Sequence, residues 1–254
     1  MIPPIALQLY TLREALSQDF TGIIEKIAEI GYIGVETAFF PEDIDLIEAT
    51  QIIRDAGLSI PAAHCEIPLD DQEDAVLTQA KTLGCEKLIW HGWPQDPDYG
   101  SIDGIKRLAT RYNKANEVCR ANGYQFGIHN HWWEFEPVAG QYPYQILTEE
   151  MHSDIFFEVD TYWVKTAGPN PVDVVQELGS RAPLLHIKDG PAVKEKPMVA
   201  AGQGSMNFDA ILAAAGDNPE WLIVEMDECA TDMMTAVAES YQYLTSNGYA
   251  TGNR

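Results

Sequence analysis

The stretch IALQLYTLREALSQDFTGIIEKIAEIGYIGVETAF, residues 5 to 39, contains one complete unit of strand, helix and strand, and the fold turns on it. IALQLY is a short apolar run. Asp19 stands where a helix N-cap is needed, and Phe20, Ile23, Ile24, Ile27 and Ile30 then fall on one helical face before Gly31 stops the element. A second apolar run, IGVETAF, follows at once. LQLYTLREAL carries no glycine-rich turn after the first strand, which weighs against an open, dinucleotide-binding sheet.

Working outward, the same alternation repeats. PEDIDLIEATQIIRDAG (41–57) reads as a helix opened by Pro41 and closed by Gly57, and LSIPAAHC (58–65) as the third strand. A helix ending near Gly84 leads to strand EKLIWHG, and a helix from about Ile102 to Asn122 leads to strand YQFGIHNH. Then come a short helix around YPYQILTEE, strand DIFFEVDTY, helix PVDVVQELG and strand APLLHIKD. Helix NFDAILAAAG, strand WLIVEMD and a helix to about Tyr243 complete the series. Eight strands alternating with eight helices in 254 residues match the size and order of a (β/α)8 barrel, so an α/β chain with a single TIM barrel domain, 1–254, is expected. Residues 189–207 form the longest stretch without periodicity and are expected to cover the barrel mouth.

Composition excludes several classes of function. Sixteen Lys and Arg against 39 Asp and Glu give a net charge of -23, which repels phosphate backbones, so no nucleic-acid partner is expected. The chain is 46% hydrophobic yet has no uncharged apolar run near the ~18 residues of a membrane span, so no membrane partner is expected either. MIPPIALQLY shows neither a basic leader nor a cleavage site, which points to a cytoplasmic location. The four cysteines form no C-x-x-C pair, and most read as buried thiols.

In such a barrel the chemistry lies at the C-terminal ends of the strands. Those ends offer Gln8 and Tyr10, Glu36, His64 and Glu66, His91, His129 and His131, Glu158 and Asp160, His186 and Lys188, and Glu225 and Asp227. A single strand-end histidine is more often structural than functional, but five of the six histidines converge on one mouth here. Asp160, His186 and Glu225 come from neighbouring strands and form a mixed set suited to Mn2+, Co2+, Mg2+ or Zn2+; the absence of a thiolate weighs against structural zinc. The competing account is an acidic rim satisfied by one histidine. Trp93, Trp132, Trp133 and Trp163 follow strand ends, and one or two are expected to offer a face to a sugar.

GIHNHWWEF, DTYWVKTAG, HIKDG and LIVEMDE together resemble the four consecutive strand-end motifs of the xylose-isomerase-like TIM barrel superfamily of sugar isomerases and epimerases, close to its inosose dehydratase and isomerase members. The resemblance runs from Gln8 to the end of the chain. It implies one divalent ion held by His129, Asp160, His186 and Glu225. Many relatives carry glutamate where His129 stands, with Glu134 or His131 as substitute ligands here. Two features depart from the endonuclease branch: Trp163 replaces a second histidine, and a later D-x-H pair is missing. The zinc cluster of that branch is therefore not expected.

The implied chemistry is isomerisation or epimerisation of a keto-sugar or keto-polyol through an enediolate, with Glu225 moving a proton on one face and Glu134 or His131 on the other. His64, His91, Glu36, Lys188 and Trp163 are the candidates for substrate contact. A rim salt bridge for Lys188 and a buried hydrogen bond for His64 are equally open readings. The alternative is a dehydratase of the inosose or keto-glycoside type using the same metal site, and a third reading is a non-catalytic sugar-binding barrel. A small carbohydrate is the expected partner. A homo-oligomer is compatible with the sequence, which fixes neither assembly, substrate nor metal.

Overall fold

The structure, a computed structural model, describes residues 1–38 and 40–253. Eight strands run parallel: β1 Ile5–Gln8, β2 Gly34–Glu36, β3 Ala62–Cys65, β4 Lys87–Trp90, β5 Gln125–His129, β6 Phe156–Asp160, β7 Leu184–Ile187 and β8 Trp221–Val224. Their order is β2-β1-β8-β7-β6-β5-β4-β3. The seam between β2 and β3 is drawn together by Val35 N–H on Ser59 O at 2.9 Å and His64 N–H on Thr37 O at 2.7 Å. This is the expected (β/α)8 barrel. The last residue of the IGVETAF reading, Phe39, lies outside the described residues.

The helices are α1 Arg13–Leu16, α2 Phe20–Ile30, α3 Leu46–Asp55, α4 Glu73–Leu83, α5 Ile102–Ala121, α6 Pro143–Glu150, α7 Thr161–Ala167, α8 Pro171–Leu178, α9 Phe208–Ala215 and α10 Met233–Ser246. Helix α2 begins and ends as read, with Asp19 accepting from Gly22 N–H and Gly31 at φ 118°. Helix α3 does not begin at Pro41. Asp45, whose carboxylate accepts from the N–H groups of Ile47 and Glu48, caps it instead, and that acceptor outcompetes the merely permissive proline. Helix α7 was not expected at all. Among the described residues no helix is long and apolar enough to cross a membrane.

Period-two alternation builds the barrel interior in layers. Ala6, Ala62, Ile89, Phe156, Leu184 and Ile223 form a buried apolar plug. A Cβ on Gly127 would overlap the Phe156 ring, so the strand opposite that ring must be bare at this level. Two residues further along the same chains stand Gln8, His64, His91, His129, Glu158, His186 and Glu225. The apolar layer thus closes the barrel below, and the polar residues face its C-terminal mouth.

Candidate active site

Above the plug the polar side chains form a connected, buried layer. Gln8 Nε2 donates to Glu36 Oε1 at 2.6 Å, and His186 Nε2 lies 2.8 Å from the same oxygen. The other nitrogen of that ring, Nδ1, lies 2.7 Å from Glu225 Oε2. His64 Nε2 is 2.6 Å from Glu158 Oε2, and His129 Nδ1 is 3.2 Å from it. The Lys188 ammonium sits between Asp160 Oδ2 at 3.0 Å, Glu225 Oε2 at 2.7 Å and Asp227 Oδ2 at 2.9 Å.

Local chain geometry explains how Asp160 is aimed. It is both the last residue of β6 and the N-cap of α7: its Oδ1 accepts from the N–H groups of Tyr162 and Trp163, both at 2.9 Å. That leaves Oδ2 turned toward Lys188, where it accepts no hydrogen bond. Asn130 fixes the same residue from the neighbouring strand, accepting from Asp160 N–H at 2.9 Å and donating to Asp160 O at 3.2 Å. The asparagine between the two histidines is therefore a side-chain extension of the sheet ladder.

The charges follow from burial and proximity. Burial, reinforced by Glu158, pushes Glu36 up to about 8. Burial also opposes ionisation of Glu225, but Lys188 and His186 outweigh it and hold this carboxyl well below the usual range. Burial likewise disfavours charged His186 and Lys188, yet the surrounding carboxylates raise both groups well above their ordinary values. His131 is pushed down to about 3, chiefly by burial, and stays a neutral imidazole.

A cavity of about 710 Å3 opens above this layer. Trp93, Trp132 and Trp163 line it, one more than expected, with Trp132 edge-on to Trp163 at 4.9 Å between ring centres. Trp133 is buried behind them, stacked on His131 at 4.3 Å. The loop after β7 adds Lys194, Glu195, Lys196 and Met198 to the wall, as its length led one to expect. Asp189 ties that loop down. Its Oδ1 accepts from Gly190 N–H at 2.8 Å and Met206 N–H at 3.0 Å, and its Oδ2 from Gly202 N–H at 2.9 Å and Gly204 N–H at 3.0 Å.

Of the residues singled out in the sequence, His64, His91, His129, His131, Trp163, Lys188 and Glu225 line the cavity. Asp160 and His186 lie directly beneath it, wholly buried. Glu36 is also wholly buried and reaches His186, not the cavity. Glu134 stands behind the wall, accepting from His131 N–H at 2.9 Å, and burial pushes it up to about 8. Sequence reasoning gave no role to Glu158, Asn130 or Asp189. The period-two spacing in FEVD, which sets Glu158 on the same side as Asp160, was the available signal for the first.

The donor atoms of His129, Asp160, His186 and Glu225 all lie within 4.8 Å of one another, and so do those of His64, His129, Glu158 and His186. Asp160 Oδ2 and His129 Nδ1 have no hydrogen-bond partner, and the mixed nitrogen and oxygen set fits a divalent ion. Comparison with known proteins gives the same fold. A sugar phosphate isomerase/epimerase from Parabacteroides distasonis superposes with a TM-score of 0.85 at 24% identity, covering 98% of this chain and 100% of that one. The probable 3-DHS dehydratase AsbF from Bacillus anthracis superposes at 0.76 with 17% identity, covering 95% and 98%. The IOLI protein, whose structure holds a zinc atom, superposes at 0.70 with 13% identity, covering 98% and 100%. No curated protein sequence matches the chain. The pattern of the family described as "Xylose isomerase-like TIM barrel" matches residues 24–246, and the chain belongs to that family.

Proposed function

We propose that the protein is a divalent-metal-dependent sugar isomerase or epimerase acting on a keto-sugar or keto-polyol, as a single cytoplasmic barrel domain, 1–254. The observation that carries this reading is the donor set His129, Asp160, His186 and Glu225, gathered within 4.8 Å under a tryptophan-walled cavity. These four residues would hold the ion, one of Mn2+, Co2+, Mg2+ or Zn2+. When bound, it supplies a Lewis acid for a carbonyl and its neighbouring hydroxyl.

The protein's own groups divide the remaining work. Trp93, Trp132 and Trp163 present faces on which a sugar ring can stack. Glu225, kept ionised by Lys188 and His186, is the base for the α-proton on one face. His131, neutral and lining the cavity, faces a substrate hydroxyl on the other, while Glu134 steadies it by accepting its backbone N–H. His64 and His91 complete the polar wall. Return of the proton to the neighbouring carbon gives an isomer, and return from the opposite face gives an epimer.

Lys188 favours a second reading. Lys188 lines the cavity and its ammonium lies 2.7 Å from Glu225; protonation of a departing β-hydroxyl from there would turn proton abstraction into dehydration.

Solvent deuterium uptake into a panel of keto-sugars, together with metal analysis, tests these readings. Uptake without loss of water supports the isomerase, and loss of water with a new enone absorbance supports the lyase. A protein with neither uptake nor bound metal is the sugar-binding barrel, and the proposal fails. Asp160→Ala and His186→Ala are expected to abolish uptake while circular dichroism still reports a folded barrel.

A further inference from the structure

The hydrogen bonds of His186 divide the polar layer in two. Its Nδ1 edge faces Glu225 at 2.7 Å in the outer half, while its Nε2 edge faces Glu36 at 2.8 Å and Glu158 at 3.2 Å in the inner half. A donor set that shares only His129 and His186 with the one proposed for the reaction lies on that inner side. His64 Nε2, His129 Nδ1 and His186 Nε2 stand 2.6, 3.2 and 3.2 Å from the single oxygen Glu158 Oε2. Four strands thus bring three imidazole nitrogens and a carboxylate oxygen to one point. For metal bonds of ~2.1 Å in a tetrahedron the donors would lie ~3.4 Å apart, so only a small opening is needed.

The inner half is also short of hydrogen-bond partners. His129 Nδ1, Glu158 Oε1 and Glu36 Oε2 are buried without a hydrogen bond. Glu36 and Glu158 are wholly buried, and among the described residues their ion pairs are all with histidines. The fixed cation of the site, Lys188, is bound in the outer half by Asp160, Glu225 and Asp227. Buried polar atoms without partners are costly, and a dication among them would satisfy several at once.

We infer that the barrel has a second divalent-cation position beside the first, in which His64, His129 Nδ1 and Glu158 coordinate together with the Nε2 edge of His186; with both positions filled, His186 releases its ring protons to solvent and bridges as imidazolate, and its Nδ1 edge holds the outer ion with Asp160 and Glu225. It rests on the proposed function only through the two histidines the sets share. Three imidazoles and one carboxylate select transition ions such as Zn2+, Co2+ or Mn2+ over the all-oxygen preference of Mg2+ and Ca2+. This position is built on Glu158 in the middle of β6, unlike the endonuclease-type cluster not expected from the sequence. Its competitor is a metal-free layer in which a proton on His186 bridges the carboxylates.

Equilibrium dialysis of the metal-stripped full chain against Co2+ or Mg2+, with the ions counted by mass spectrometry, decides between them. Circular dichroism establishes that each variant is folded. The wild type is expected to take up two Co2+ per chain but no more than one Mg2+. Glu158→Gln and His64→Gln should each lose one Co2+ and keep Mg2+, whereas Asp160→Asn should lose the Mg2+ and one Co2+. A wild type that binds one Co2+, lost in Glu158→Gln and kept in Asp160→Asn, supports the inner position and removes the outer donor set. Unchanged Co2+ uptake in Glu158→Gln and His64→Gln, or a single Co2+ lost in Asp160→Asn, overturns the inference.

Discussion

Glu134 shows how a carboxylate can sit beside an active site without belonging to its surface. Its side chain is buried, one oxygen accepts the His131 N–H, and the other has no hydrogen-bond partner. Burial raises it from 4.5 to about 8, so between those values the folded protein retains a proton that the unfolded chain has lost. Stability from this group is therefore present at low pH and declines as pH rises toward 8, by ~1.4 kcal/mol per unit. Glu134→Gln keeps an acceptor for His131 and cannot ionise. Urea denaturation across this pH range should show a flatter profile for the variant and a gain of a few kcal/mol near pH 8. A variant profile parallel to wild type would mean that Glu134 is ionised in the folded state.

At the scale of elements, what could be read from the sequence and what could not have physical causes. Period-two runs and helical stripes report burial, so the eight strands and the long helices α2 and α5 were legible. Helix starts depend on one side chain finding one N–H, which is why Asp45 displaced Pro41 and why α7 was hidden behind Asp160, itself read only as a ligand. The same limit concealed the Asp189 clasp, since no periodicity marks a carboxylate that gathers four backbone N–H groups. The loop it organises brings Lys194 over the Trp132 ring, 4.9 Å from its centre, at the cavity wall. Gly204 is the strictest position of the clasp, because a Cβ there would overlap the Asp189 carboxylate and the Gly190 backbone. Gly204→Ala should therefore lower stability by ~1–3 kcal/mol and speed hydrogen exchange in residues 190–206 more than elsewhere. Uniform exchange across the chain would show that the loop is held by other contacts.

At the scale of the molecule, closing the sheet turned dispersed strand-end residues into one layer. This is why Asp160, His186 and Glu225 could be grouped from their strand ends, with His129 added by the resemblance, while Glu36 was read as a substrate contact and Glu134 as a proton carrier although both have protein groups as their hydrogen-bond partners. Distance along a strand is legible; depth below the cavity depends on the full stagger of the barrel. Charge also acts at this largest scale. A net charge of -23 leaves carboxylates repelling one another across the surface, and unfolding relieves that repulsion by spreading them apart. Raising ionic strength from ~0.01 M to ~0.15 M shortens the screening length from ~30 Å to ~8 Å, which weakens this repulsion more than it weakens the ion pairs in contact around buried Lys188. Metal-free protein should therefore melt several degrees higher in the saltier buffer at pH 7, by calorimetry in sodium chloride. A lower melting temperature would mean that exposed ion pairs such as Lys106 with Glu150 and Arg120 with Asp154 stabilise the barrel more than its excess negative charge destabilises it.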